Sequence, residues 1–192
     1  MKKTSVPALF SNAFCPQTLF LYGTYKEDGT PNFGLFCWAT YCADEEGMNF
    51  VACIGEDKLT RDRIQETGVL SAALVTQEML PSADFCGFHS GRNTDKSLIV
   101  PSERGQALNV PVPLQSPWVF ELEVKKTLHV DDRISHIYIC RARNIQADER
   151  LLDEKTPLME RVRLVSPIVT MDFHYLPVEP RLLGAWGDWK ER

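Results

Sequence analysis

The chain has 192 residues, 44% of them hydrophobic and 24% charged, enough for one substantial core, and it is neither disordered nor fibrous. A formal net charge of -5 with no basic run excludes a general nucleic-acid binder, because affinity for a phosphate backbone needs a basic face. No stretch approaches the roughly 20 apolar residues that cross a bilayer, and a single domain over residues 1–192 is expected.

Met1-Lys2-Lys3 resembles the start of a secretion leader, but Pro7, Ser11 and Asn12 break the segment before an apolar run develops. Ala13-Phe14 ahead of Cys15 is a poor lipoprotein cleavage site, so a cytoplasmic protein is expected. Residues 18–25 are rich in aromatic and β-favouring types, Asp28-Gly29 makes a turn, and residues 32–41 form a second apolar run, which together predict a hairpin. Residues 44–47 form another turn, and residues 48–54 a third strand, so an antiparallel meander or barrel begins here.

The pattern then changes. Thr60 is placed to cap a short helix over residues 61–67, which Gly68 can end in the left-handed conformation. The loop Gly55-Glu56-Asp57-Lys58 leads into it. The positive end of that helix would lie beside Lys58, Thr60, Arg61 and Arg63, an anion site by charge, although Thr60 would serve equally well as a cap and nothing more. Residues 69–75 read as a buried strand and residues 77–88 as a helix.

The next stretch, Cys86-Gly87-Phe88-His89-Ser90-Gly91-Arg92-Asn93-Thr94-Asp95-Lys96, has the composition of an anion loop. Glycines let backbone amides turn toward a ligand, Ser90 and Thr94 carry hydroxyl donors, and Arg92 and Lys96 supply charge-assisted bonds. The same residues also compose ordinary surface turns. Six cysteines, at positions 15, 37, 42, 53, 86 and 140, fall singly; Cys86 with His89 lacks the second pair a zinc site requires, so reduced thiols and no metal are expected.

Residues 97–115, with Pro101, Pro111 and Pro113, read as an irregular excursion. Residues 118–125 alternate as a strand whose Val119, Glu121, Glu123 and Lys125 face is largely wet, and residues 136–143 form another strand. A helical turn at 148–154 and a short strand at 167–171 follow. The tail from about residue 172 to 192, with Phe173, Tyr175, Trp186 and Trp189, is expected to pack on the barrel or on a second subunit.

Asp28-Gly29-Thr30-Pro31-Asn32, Trp38-Ala39-Thr40, Lys58-x-Thr60-x-x-x-Ile64 before Gly68, Asp84-Phe85-Cys86-Gly87 and Ser90-Gly91-Arg92-x-x-Asp95-Lys96 together resemble the flavoredoxin branch of the flavin reductase-like proteins. The similarity runs from about Pro16 through Lys96, and more loosely through His136 to Gly184; the Ser-Gly-Arg-x-x-Asp-Lys run is its most specific part. It implies a mainly β fold with a few helices, an antiparallel, Greek-key, FMN-binding split β-barrel. It also implies a homodimer with non-covalent FMN at the subunit interface. By the same resemblance, Asn32 and Trp38 would lie along the isoalloxazine and ribityl side and Thr60 and Lys96 would take the phosphate. His136, with His129 as its alternative, and Phe173 would come from around the site or from the partner.

The implied activity is an NAD(P)H-dependent flavin reductase that passes hydride from the nicotinamide to flavin N5. Backbone amides around Trp38, Ala39, Thr40 and Cys53 are candidates to stabilise the reduced ring. No Gly-x-Gly-x-x-Gly follows a strand, so a separate Rossmann site for the nicotinamide is absent. That leaves open an electron-transfer flavoprotein reduced by a protein partner, and a non-redox binder of another phosphorylated ligand. A thiol enzyme built on Cys86 and His89 is a further alternative.

Overall fold

The computed structural model describes residues 1–5, 13–55, 57–131 and 135–186. Pro7, Ser11 and Asn12, the loop residue Glu56 and Trp189 lie outside the described residues. In chain order the elements are β1 (Gln17–Thr18), β2 (Phe20–Tyr25), β3 (Pro31–Phe36), β4 (Ala39–Asp44), β5 (Gly47–Gly55), α1 (Leu59–Thr67), β6 (Val69–Leu74) and α2 (Leu80–Phe88). The second half adds β7 (Ser102–Arg104), β8 (Pro111–Pro113), β9 (Trp118–Asp131), β10 (Ser135–Ala147), α3 (Glu149–Leu152), α4 (Leu158–Val165), β11 (Ile168–Met171) and β12 (His174–Pro177).

Seven strands form one antiparallel sheet in the order β3-β2-β6-β9-β10-β5-β4. Its two edges, β3 and β4, are consecutive in the chain and joined only by Cys37 and Trp38, so the sheet must curl until the edges meet at that corner without pairing. The result is the split, mainly antiparallel barrel the sequence implied. β1, β11 and β12 form a small second sheet, and β7 with β8 a two-stranded hairpin.

Period-two alternation divides the apolar residues into two cores. Phe20 and Tyr22 of β2 join Phe50, Ala52 and Ile54 of β5, Leu70 of β6, Phe120 of β9 and Tyr138 of β10 inside the barrel. Phe20 meets Phe50 edge-on at 5.2 Å, and Tyr22 stacks on Phe36 at 4.7 Å. Leu21 and Phe33, on the opposite face, pack with Met79, Ala83 and Cys86 around α2 and with Val110 and Val112 around the β7–β8 hairpin.

Four expectations are revised. The apolar run at 32–41 is two strands, split where the chain turns the barrel's corner. The excursion at 97–115 contains β7 and β8, and the amphipathic α4 was not anticipated. The helix starts at Leu59, its N-cap is Lys58 with no side-chain cap, and Thr60 lies inside the first turn. Gly68 does end it, at φ 71°, with its amide bonded to the Ile64 carbonyl. Glu121, read on a wet strand face, is completely buried.

All six cysteines are free, and Cys15 and Cys42 are exposed. No helix among the described residues is long and apolar enough to cross a membrane. In the tail, Leu182, Leu183 and Trp186 expose their side chains.

Candidate functional site

The two stretches that sequence marked as anion-binding converge. Asn32, Gly34 and Phe36 of β3, Lys58 and Thr60 at the start of α1, and Cys86, Ser90, Gly91 and Lys96 around the end of α2 line one cleft of about 130 Å³. Gly34 and Phe36 were missed. They follow Asn32 at spacing two on the same strand, and that alternation was the available signal.

Asn32 is buried, and its amide nitrogen donates to the hydroxyls of Thr60 at 3.1 Å and Thr24 at 3.4 Å. Its Oδ1 is buried without a hydrogen-bond partner. A Cβ on Gly91 would lie 1.9 Å from that oxygen, so only glycine lets the loop pass here. Thr60 is buried as well, and its hydroxyl serves Asn32 rather than the helix end. Thr60→Val is therefore expected to leave the helix intact but cost about 1–2 kcal/mol by removing an acceptor from a buried amide. Thermal unfolding monitored by circular dichroism checks both halves of that statement.

Lys96 is 3% exposed, and its Nζ donates to the carbonyls of Phe33 at 2.6 Å and Cys86 at 2.8 Å. An ammonium has three hydrogens, so one remains for a ligand. Burial lowers the lysine's pKa; Lys58 and Lys26 push the same way and Cys86 opposes them. Lys26 also donates to the Thr94 carbonyl at 3.3 Å, which brings a third cation against the loop.

Arg92 is not brought into the cleft. Its guanidinium is taken by Asp62 at 2.5 Å and Asp57 at 3.3 Å, and it borders a neighbouring depression instead. Ser90 lines the cleft, and its Oγ accepts from the Arg92 amide at 3.3 Å. Burial pushes the Cys86 thiol up to about 11, with Lys96 acting against it. His89 stacks on Phe85 and bonds that residue's carbonyl. A thiol so reluctant to ionise is a poor nucleophile.

Trp38, Ala39, Thr40, Cys53, His136 and Phe173 do not line this cleft within one protomer. Trp38 is 50% exposed at the barrel corner, not a core residue, and its carbonyl accepts from the Cys53 amide at 2.9 Å. That amide is therefore already used. His136 is buried beside His129, with Nδ1 of His129 and Nε2 of His136 3.1 Å apart and Gln65 and Tyr138 at its other nitrogen. Phe173 is 96% exposed at the tip of the β11–β12 hairpin, where Asp172 and Phe173 both adopt positive φ. Tyr175 of that hairpin donates to Asp84 of α2; burial and then this carboxylate push its hydroxyl up to about 12.

A family model described as the flavin reductase like domain matches residues 12–166. The chain belongs to the flavin reductase-like family. Within that family's fold it is similar to the flavoredoxin of Methanosarcina acetivorans (TM-score 0.84, 21% identity, covering 99% of this chain and 98% of that one). Flavoredoxin of Desulfovibrio vulgaris (Miyazaki F) superposes with TM-score 0.79 at 24% identity, over 98% of this chain and 99% of that one. The styrene monooxygenase flavin reductase of Pseudomonas putida S12 does so with TM-score 0.69 at 14% identity, over 92% and 100%. No curated protein matches the chain. The cleft of this flavin reductase-like chain thus lies between strand β3 of the family's barrel, the start of α1 and the loop after α2.

Proposed function

We propose that the chain binds FMN non-covalently in this cleft and acts in the cytoplasm as an NAD(P)H-dependent flavin reductase, as a homodimer with the flavin at the subunit interface. One observation carries the reading: donors and an orphan acceptor occur together. A phosphate only accepts hydrogen bonds, and Lys96, Thr60, Lys58 and Ser90 can donate to it. Asn32 Oδ1 needs the opposite, a donor, and a sugar-alcohol hydroxyl provides one. A ligand that carries a phosphate and a polyol chain satisfies both.

When bound, FMN supplies a ring that accepts a hydride and releases electrons. This chain's residues then hold the phosphate with Lys96 and Thr60, and orient the ribityl chain with Asn32. Trp38 and Phe173, both exposed in one protomer, suit the rim of a site completed by a second copy. Phe173 supports that placement through its backbone: a bulky residue at φ 61° is disfavoured, and the turn would favour glycine. Phe173→Gly is expected to stabilise the hairpin by about 1 kcal/mol while weakening flavin binding several-fold. Thermal unfolding of the flavin-free protein and a flavin titration measure the two effects separately.

An anaerobic titration with NADH and NADPH tests the activity. Bleaching of the yellow protein by either nicotinamide is the expected result. Protein that holds FMN but is not bleached would be an electron carrier reduced by a protein partner. Protein that gains no colour on addition of FMN overturns the flavin reading itself.

A further inference from the structure

At the end of the barrel where β2 begins and β6 finishes, the inner core does not close. Phe20, Tyr41, Leu74, Trp118, Phe120 and Val165 line an open apolar depression of about 230 Å³ that shares no residue with the cleft, and Tyr41 is half exposed at its mouth. Four rings build its wall, and within it Phe120 lies 6.1 Å from Tyr41 and 6.3 Å from Trp118, at interplanar angles of 50° and 67°. None of the lining side chains is charged. The remaining side is Val165, the last residue of α4.

α4 is unusual for what it fails to bury. Leu158, Met159, Val162 and Val165 fall at i, i+1, i+4 and i+7 and build one apolar face, yet none of the helix's residues is buried. An amphipathic helix ordinarily covers its apolar face with core. Here, at Val165, that face borders empty space.

We propose that this depression binds a small uncharged molecule with a single aromatic ring, held between the four rings and α4. Water held against this lining finds few of the two to four polar partners it needs, so an apolar guest displaces it readily. Size is sufficient: benzene fits an enclosed apolar cavity of roughly 150 Å³, and this depression, open on one side, is larger. Rings set at these angles offer edges and faces to an aromatic guest, whereas an ion would be desolvated with no counter-charge. Barrel mouths are recurrent places for such sites. The proposal is independent of the flavin reading, because no residue of the cleft takes part.

The test is a titration of the full chain with fluorobenzene, followed by ¹⁹F NMR, with intermolecular NOEs to assigned methyl groups. The expected result is saturable binding with NOEs to the methyls of Leu74 and Val165. It should weaken at least tenfold in Val165→Trp, whose indole fills the depression, and remain unchanged in Leu98→Ala, an exposed position outside it. If Val165→Trp does not fold, the NOE pattern of the unsubstituted protein decides alone. Absence of saturation up to the probe's solubility, or NOEs only to other methyls, overturns the proposal. So does an unchanged affinity in folded Val165→Trp. A change of mass by light scattering in Val165→Trp, without saturable binding to the parent protein, would make the depression a contact between copies and equally overturn the proposal.

Discussion

Glu121→Ala is expected to lower the free energy of unfolding by about 3–5 kcal/mol. The carboxylate is fully buried on β9 and accepts five hydrogen bonds. Three come from the backbone amides of Gln106, Ala107 and Leu108 at 2.7–3.0 Å, and two from the side chains of Asn144 at 2.7 Å and Gln146 at 2.9 Å. One side chain thus fastens the loop between β7 and β8 to the barrel and to β10. Alanine would leave those donors without their acceptor, and buried unpaired donors cost more than a missing bond. Urea unfolding followed by tryptophan fluorescence measures the loss.

The same carboxylate gives the effect a pH dependence of known sign. Burial alone would raise its pKa, but the bonds from Asn144, Gln146 and the Leu108 and Ala107 amides outweigh it, so the folded value lies below the ordinary 4.5. A depressed acid pKa contributes stability that is fully present above the unfolded value and is lost as pH falls through the folded one. The gap between parent and Glu121→Ala should therefore be constant from neutral pH down to about 5 and shrink below 4.5. A gap that stays constant to pH 3 would show that folding leaves this carboxylate's pKa unshifted, and a gap that widens as pH falls from neutral would show that folding raises it.

Glu121 also marks the limit of what alternation in a sequence reveals. Period two correctly divided β9 into two faces, but it cannot say what lies over the second face. The residues that cover it, 106–108, belong to a stretch with too many prolines and too little periodicity to predict. The strands around residues 18–25, 48–54 and 69–75 were legible because apolar continuity and turn residues agreed there. The corner at Cys37-Trp38 was not, because an apolar run is the same run whether or not the chain bends. α4 was passed over although Leu158, Val162 and Val165 recur at helical spacing.

The candidate site was legible in its chemistry more than in its connections. Both halves of the cleft were visible as cations and hydroxyls near helix ends. Which cations face the cleft depends on partners distant in sequence, Asp57 and Asp62 for Arg92 and the Phe33 carbonyl for Lys96. Spacing alone gives Arg92 and Lys96 equal standing, whereas burial separates them.

That separation yields the second large effect. Lys96→Met should weaken FMN binding by about 1.5–3 kcal/mol, a factor of roughly 10 to 150, while Arg92→Ala changes it by less than about threefold. Methionine keeps the length of the buried stem but leaves the Phe33 and Cys86 carbonyls unpaired and removes the positive charge. Arg92 is exposed and already neutralised by two carboxylates, so its loss takes little from the cleft. Two roles for Lys96 can be told apart with riboflavin, which lacks the phosphate. If the third hydrogen of Nζ meets the phosphate, Lys96→Met weakens FMN far more than riboflavin. If the lysine only ties β3 to the end of α2, both ligands weaken together and the unfolding midpoint falls in step. Equal FMN affinity in Lys96→Met and the parent would remove Lys96 from the site altogether. The first outcome is expected, because two carbonyls leave Nζ a third hydrogen for a cleft that Lys58 lines and whose loop Lys26 holds through the Thr94 carbonyl.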